Sequence, residues 1–124
     1  MVLPEFWQRF VMDNALVDAE LTIPEELDRS RAGAFIRILD EQAATVEARE
    51  LFPGMGVFQD GFVPVGGCAI GTGDPYFINV NDGDAGPLYR ISHEDVHEDG
   101  YDRAAAVEVV LMDYRELLRF RAGA

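Results

Sequence analysis

The distribution of apolar residues predicts two strands in the middle of the chain, at residues 76–80 and 88–91. Each apolar run follows a turn rich in Gly, Asp and Pro, within the segment GTGDPYFINVNDGDAGPLYRI at residues 71–91. These residue types form turns because Gly adopts positive φ, Asp bonds to nearby backbone and Pro fixes φ. Neither run has a plainly polar face, so we expect both strands near the middle of a sheet.

Helical spacing of apolar residues predicts three main helices. The first begins at Leu3-Pro4, and its apolar face consists of Phe6, Trp7, Phe10 and Val11. The second begins after Asp40 as N-cap and ends at Pro53-Gly54. Its predicted inward face consists of Ala44, Ala48, Leu51 and Phe52. A last short helix follows Asp113 as N-cap, with Tyr114, Leu117 and Leu118 facing inward.

The remaining apolar runs predict further strands at residues 34–39 and 107–111. Residues 57–58 and 62–65 flank Asp60-Gly61 and give a hairpin-like signal, in which Pro64 favours an edge strand or a bulge. The sequence Thr22-Ile23-Pro24, followed by acidic residues, predicts the start of a short helical segment.

Strands interspersed with helices and short turns indicate an α+β fold with a largely antiparallel sheet and helices packed on one side. The 124 residues are most simply one domain, spanning residues 1–124, and are enough to bury a core without disulfides. Cys68 is the single cysteine, so no internal disulfide is possible, and its apolar surroundings predict a small buried strand residue.

The net charge of −13 disfavours direct binding to nucleic acid, whose phosphates require Lys and Arg. It favours a basic protein partner, although many acidic domains use their charge only for solubility. The chain begins without a basic leader, and no apolar run approaches the roughly 18 residues of a membrane span. We therefore expect a cytoplasmic protein with no membrane partner.

The segment His93-Glu94-Asp95-Val96-His97 satisfies the HExxH pattern of zinc hydrolases, in which two histidines on one helical turn bind zinc and Glu is the base. Gly100 extends the pattern, but the next ligand position holds Arg103, so a third ligand would have to be Asp or Glu. The short, polar segment favours an exposed acidic connection instead. We expect no metal and no cofactor, and a small zinc hydrolase is the less favoured alternative.

Two glycine-rich segments resemble ligand-binding loops without matching them. NDGDAG, from Asn81, has Asp82 and Asp84 two apart, but its Gly and its twelfth residue do not fit a calcium loop. GGCAIGTGD lacks the third Gly of a dinucleotide-binding turn and the Lys of a P-loop. The first segment is therefore interpreted as a turn, and phosphate binding by the second is rejected.

Two parts of the chain resemble the SUKH superfamily, which includes fungal cell-wall-synthesis regulators and many small bacterial proteins. FVPVGGCAIGTGDPYFINVNDGDAGPLYRISHE, at residues 62–94, is similar to the family's apolar-Pro-apolar-Gly strand, its Gly-x-Gly-Asp turn with an aromatic strand, and its Gly-Pro-apolar-Tyr strand. AVEVVLMDYRELLRF, at residues 106–120, is similar to the closing strand and helix. Ile23-Pro24-Glu25 approximates the family's Leu-Pro-acidic motif.

The resemblance implies an α+β domain without catalytic residues. It also implies, as for many bacterial members, an immunity protein that binds and neutralises a toxin, often a nuclease; a regulatory scaffold is the alternative. An acidic surface would suit the basic, substrate-binding cleft of a nuclease. The candidate partner-binding residues lie in turns and polar connections, and they are Asp74, Asp82, Asp84, Glu94, Asp95, Glu98 and Asp99.

Overall fold

The molecule is built around one curled antiparallel sheet. The computed structural model describes residues 1–70 and 73–121. The strands are β1 (Glu20–Ile23), β2 (Ala34–Ile38), β3 (Phe62–Cys68), β4 (Tyr76–Asn79), β5 (Leu88–Ile91), β6 (Val96–His97), β7 (Gly100–Tyr101) and β8 (Val107–Leu111). The main sheet has the order β1-β2-β3-β4-β5-β8, and β6 and β7 form a separate hairpin. The predicted α+β fold with a largely antiparallel sheet is confirmed.

The two strands predicted for the middle of the sheet lie there. All four residues of β4 and all four of β5 are buried. β4 lies between β3 and β5, and β5 lies between β4 and β8. Val80, predicted as the last residue of the first of these strands, instead begins a 3₁₀ turn. Gly71 and Thr72, which open the predicted turn before β4, lie outside the described residues.

The central strands send alternate side chains into two hydrophobic clusters on opposite faces of the sheet. In β4, Tyr76 and Ile78 belong to the larger cluster and Phe77 to the smaller one. In β5, Leu88 belongs to the larger cluster and Tyr89 to the smaller one. Because successive strand side chains point to opposite faces, the sheet is buried on both sides.

Helices cover both clusters, so the prediction that the helices pack on one side holds for the longer helices but not for two one-turn helices. They are α1 (Glu5–Asp13), α2 (Glu41–Glu50), α3 (Gly54–Val57), α4 (Arg103–Ala106) and a C-terminal 3₁₀ helix (Tyr114–Phe120). The two longest, α1 and α2, contribute to the larger cluster, and the one-turn helices α3 and α4 contribute Val57 and Ala106 to the smaller one. The predicted caps are confirmed, since Asp40 accepts a hydrogen bond from the Ala43 amide at 2.7 Å and Asp113 from the Arg115 amide at 2.8 Å.

The short helical segment predicted after Thr22-Ile23-Pro24 is wrong, because Ile23 ends β1 and the residues after Pro24 form a turn rather than a helix. Leu21 and Ile23 alternate with exposed Glu20 and Thr22, which is the pattern of a strand with one buried face. β1 pairs antiparallel with β2 over its whole length. The start signal at Pro24 produces a single turn, in which the Leu27 and Asp28 amides donate to the Pro24 carbonyl at 3.0 and 3.1 Å.

The predicted hairpin around Asp60-Gly61 is also wrong on its first side. Val57 ends α3, and Phe58–Asp60 is a 3₁₀ turn that Gly61 closes at φ 95°. On the second side, Pro64 lies in β3, which is an interior strand rather than an edge. The predicted bulge is present, because the pairing of β3 with β4 shifts between Pro64 and Gly66. A bulge is one of the few settings in which a sheet tolerates proline.

The predicted inward face of α2 extends too far. Ala44 and Ala48 are buried, but the helix ends at Glu50 and Leu51 is extended, with φ −127° and ψ 148°. The helical spacing does not continue beyond that point, so Leu51 and Phe52 are exposed rather than buried. Cys68, expected to be buried, is the last residue of β3 and is partly exposed.

Candidate partner-binding surface

The polar segment after β5 folds into a short hairpin, β6–β7, rather than a featureless connection. Val96 pairs with Tyr101 and His97 with Gly100, and Glu98 and Asp99 form the two-residue loop between them. Gly100 follows the loop at φ 132°, a conformation that favours glycine. Of the four residues in the two strands, Val96 is the buried one and packs in the smaller cluster. This side chain fixes the hairpin to the sheet.

A tyrosine provides a second attachment for the hairpin. The Tyr101 hydroxyl donates a hydrogen bond to a carboxylate oxygen of Asp60 at 2.6 Å. Burial, followed by the hydrogen bond to Asp60, raises the pKa of Tyr101 to about 12. The hairpin is therefore joined to the 3₁₀ turn that precedes β3, and its loop has a defined position before any partner binds.

Four of the seven predicted contact residues lie in this hairpin or directly before it, with Glu94 and Asp95 in the turn before β6 and Glu98 and Asp99 in the loop. We call them the hairpin carboxylates: Glu94, Asp95, Glu98 and Asp99. All four are exposed, and within the described part of the chain none of their side chains accepts a hydrogen bond or forms an ion pair. They are therefore available to a cation supplied from outside the molecule.

The other three predicted contact residues are already engaged within the fold. Asp82 accepts a hydrogen bond from the Tyr89 hydroxyl at 2.7 Å, and Asp84 accepts one from the Tyr114 hydroxyl at 2.5 Å. Burial, followed by these hydrogen bonds, raises the pKa of each tyrosine to about 12.

The third of these carboxylates, Asp74, is engaged with a histidine. It accepts a hydrogen bond from the His93 backbone amide at 2.9 Å and a second contact from Nδ1 of the same ring. Asp74, Asp82 and Asp84 thus stabilise turns and the ends of strands, and they do not join the hairpin carboxylates in one unpaired group.

An exposed apolar strip lies beside the hairpin. Leu51 and Met55 are each 45% exposed and Phe52 is 37% exposed. Phe52 borders a groove of about 630 Å³, whose lining residues are Phe52, Val96, His97, Glu98 and Asp99. Sequence reasoning missed this strip because it assigned Phe52 to the buried face of α2.

The HExxH segment does not adopt the geometry that its spacing indicates on a helix. His93 lies just beyond β5 and contacts Asp74, whereas His97 lies in β6. The pattern needs a helix to place two residues four apart on one face. Over residues 1–70 and 73–121, no group of three or more His, Cys, Asp or Glu side chains is arranged to hold a metal ion.

A cleft of about 220 Å³ lies near Cys68, on the side of the sheet where α2 ends. Its lining includes Glu47, Cys68, Pro75 and His93. Burial raises the pKa of Glu47 above its ordinary value. The structure shows no hydrogen bond between the Cys68 thiol and a described side chain.

The charged residues that sequence reasoning missed form a buried network on β5. Arg90, 9% exposed at its side chain, makes an ion pair at 3.0 Å with Asp28, whose side chain is 0% exposed. The guanidinium also donates to Ser30 Oγ at 2.5 Å and to the Gly33 carbonyl at 2.6 Å. The sequence signal was a single arginine inside the otherwise apolar and aromatic strand LYRI.

This network closes the curled sheet. Residues 24–33 leave β1 and reach the opposite edge, where the Arg29 amide donates to the Val110 carbonyl in β8 at 2.9 Å. Arg90 holds the same loop from inside through Asp28. The loop therefore covers part of the edge that β8 would otherwise expose.

Comparison of the chain with protein-family models, with curated proteins and with solved structures finds no match. Among the described residues, no helix is both long and apolar enough to cross a membrane. The SUKH resemblance thus depends on the residues quoted above and remains a prediction.

Proposed function

We propose that this chain is a non-enzymatic binding protein, an immunity protein that neutralises a toxin with a basic surface by stoichiometric binding. Two observations support the proposal. Residues 62–94 and 106–120 resemble the SUKH superfamily, many of whose bacterial members have this role. In addition, the hairpin carboxylates are exposed and unpaired, and they lie in the loop of a hairpin with a fixed position and in the turn that leads into it.

The unpaired state of the hairpin carboxylates carries the argument. A carboxylate that already has an internal partner must lose that partner or share it when another cation approaches, whereas an unpaired carboxylate does not. Fixing the hairpin through Val96 and Tyr101 also lowers the entropy cost of ordering the surface on binding. The expected gains are faster association and partner discrimination more than raw affinity.

A nuclease is the class of toxin that suits this surface best. Its substrate cleft must present Lys and Arg to the phosphates of a nucleic acid. An acidic hairpin that entered the cleft would meet the same cations and exclude the substrate. A regulatory scaffold that binds a basic housekeeping protein is the second candidate, and the identity of the partner separates the two.

The test begins with capture of the partner by the tagged protein from its native cells at low salt, followed by identification by mass spectrometry. Affinity is then measured by calorimetry for three forms of the protein. The first is the wild type, and the second has all four hairpin carboxylates replaced by Arg. The third is a matched control with the same change in charge at exposed sites away from the hairpin, namely Asp13, Asp18, Glu25 and Glu26, each replaced by Arg.

We expect one basic, toxin-like partner in equimolar amount, bound strongly by the wild type and the control. The hairpin variant should bind more weakly and lose most of the salt dependence. Equal affinity and equal salt dependence in all three forms would refute the role of the hairpin. Recovery of only a housekeeping protein would favour the scaffold.

A further inference from the structure

The groove beside the hairpin combines an aromatic wall with two unpaired carboxylates. Phe52 supplies the partly exposed ring, and Glu98 and Asp99 lie in the hairpin loop that borders the same groove. The ring and the carboxylates attract different chemical groups. The ring attracts apolar or planar groups, whereas the carboxylates attract cations.

The position of the ring follows from a close approach of the backbone. A Cβ added to Gly56 would lie 2.4 Å from Val96 Cγ1 and 3.4 Å from Cε1 of Phe52. Glycine at this position in α3 therefore lets Val96 and the Phe52 ring pack against the helix. Packing on that side supports the ring, and its remaining surface is open to the groove.

We propose that this groove binds an arginine side chain of the protein partner, with the guanidinium over the Phe52 ring and its N–H groups directed at Glu98 and Asp99. The inference rests on the proposed function and deepens it by naming the group that is recognised. Arginine is the side chain whose planar cation both stacks on an aromatic face and donates several hydrogen bonds in one plane.

Other occupants fit the groove less well. A purely apolar side chain would cover the Phe52 ring but would remove water from Glu98 and Asp99 without replacing their hydrogen bonds, which is costly. A phosphate or carboxylate would be repelled by both residues. Lysine would satisfy the charge, but its compact ammonium cannot combine stacking with a planar set of donors.

The groove is tested directly with a small probe, without the partner. The probe is Nα-acetyl-arginine methylamide, and the matched probe is the citrulline analogue, which keeps the planar shape and most donors but has no charge. Two-dimensional NMR of the intact protein follows the amide signals during each titration. We expect shifts for Phe52, Glu98 and Asp99 with the arginine probe, and binding of the citrulline probe weaker by about tenfold, equivalent to about 1.4 kcal/mol.

Three variants assign the effect to the groove. Phe52→Leu keeps an apolar side chain and removes the aromatic face, and Glu98→Gln with Asp99→Asn removes two charges from the loop. Glu25→Gln with Glu26→Gln removes two exposed charges elsewhere. We expect each groove variant to weaken binding of the arginine probe several-fold and the Glu25/Glu26 variant to bind like the wild type. Amide spectra and thermal unfolding establish that each variant is folded.

The inference is overturned if arginine and citrulline shift the same signals with equal affinity, if neither shifts the groove signals, or if the Glu25/Glu26 variant weakens binding as much as the groove variants. This failure is distinguishable from failure of the proposed function. Suppose that the groove does not bind the arginine probe but that replacing all four hairpin carboxylates by Arg still weakens partner binding. The role of the hairpin then stands, and the assignment of an arginine to the groove does not.

Discussion

The carboxylates of two charged regions in this molecule differ in burial and in pairing. On β5, Arg90 and Asp28 are buried together, and the loop at residues 24–33 supplies further acceptors to the guanidinium. On the β6–β7 hairpin, the four hairpin carboxylates are exposed and, among the described residues, make no side-chain hydrogen bond or ion pair. The first region joins distant parts of the chain, and the second leaves its charge facing solvent.

The difference teaches that net charge alone does not locate a binding surface. Of the seven carboxylates predicted as partner contacts, Asp74, Asp82 and Asp84 proved to have internal partners. Pairing, rather than acidity, separates structural carboxylates from available ones. Four predictions test this separation.

The largest expected effect comes from breaking the buried pair. Arg90→Met leaves Asp28 buried without its ion-pair partner, and we expect the free energy of unfolding to fall by about 3–5 kcal/mol. Urea unfolding of the wild type and the variant measures the loss. In the double variant with Asp28→Asn the loss should be smaller than the sum of the two single losses. Additive losses would show that the pair does not act as a unit.

The next largest loss of stability is expected from disturbing the packing of the hairpin against α3. Gly56→Ala places a methyl group 2.4 Å from Val96 Cγ1, so Val96 has to move. We expect the free energy of unfolding to fall by about 1–3 kcal/mol, as for other overpacked cores. The matched control is Gly67→Ala in β3, because a Cβ added there would lie 3.6 Å from Leu39 Cδ2, an ordinary contact distance. An unchanged stability of Gly56→Ala would contradict the close packing of α3 on β6.

A smaller loss of folding stability is expected at alkaline pH. The pKa values of Tyr89, Tyr101 and Tyr114 are raised to about 12 in the folded protein, whereas unfolded tyrosine ionises near pH 10. Between about pH 10 and about pH 12 the unfolded chain therefore binds fewer of these protons than the folded chain, and stability falls as pH rises.

Urea unfolding at several pH values, with phenolate absorbance followed in parallel, measures this dependence. Tyr101→Phe removes one of the three raised groups and should make the decline less steep. A slope that Tyr101→Phe leaves unchanged would contradict the assignment of Tyr101 to this set.

The smallest effect on stability is expected where the effect on binding is largest. Replacing the four hairpin carboxylates by Arg removes no internal contact, so each substitution should change the free energy of unfolding by less than about 0.5 kcal/mol. Urea unfolding alongside the control variant with reversals at Asp13, Asp18, Glu25 and Glu26 checks this. A loss of several kcal/mol limited to the hairpin variant would show that these carboxylates have a structural role after all.

Local chemistry made much of the fold predictable. Runs of apolar residues between turn signals identified the strands that begin at residues 34, 76, 88 and 107. Asp40 and Asp113 were recognised as helix caps. The errors arose where tertiary pairing decided the outcome. Thr22-Ile23-Pro24 has a helix-start composition, but Thr22 and Ile23 pair with β2 and the chain after Pro24 forms only a single turn.

The candidate site was only partly predictable, for the same reason. The sequence placed the hairpin carboxylates in a polar segment, which is correct, but it gave no sign that Val96 is buried and holds a hairpin in place. The exposure of Phe52 depends on α2 ending at Glu50, one residue before the periodicity suggested an inward Leu51. The Asp28–Arg90 pair joins residues 62 positions apart, and no local pattern reports such a contact.

The central claim is that the hairpin, and not the region closed by Arg90, meets the partner. Hydrogen exchange of the protein, free and bound to the captured partner, tests it most directly. The account predicts that binding slows exchange in peptides covering residues 50–56 and 92–101 and leaves residues 24–33 unchanged. Slowed exchange at residues 24–33, with no change at residues 92–101, would contradict it.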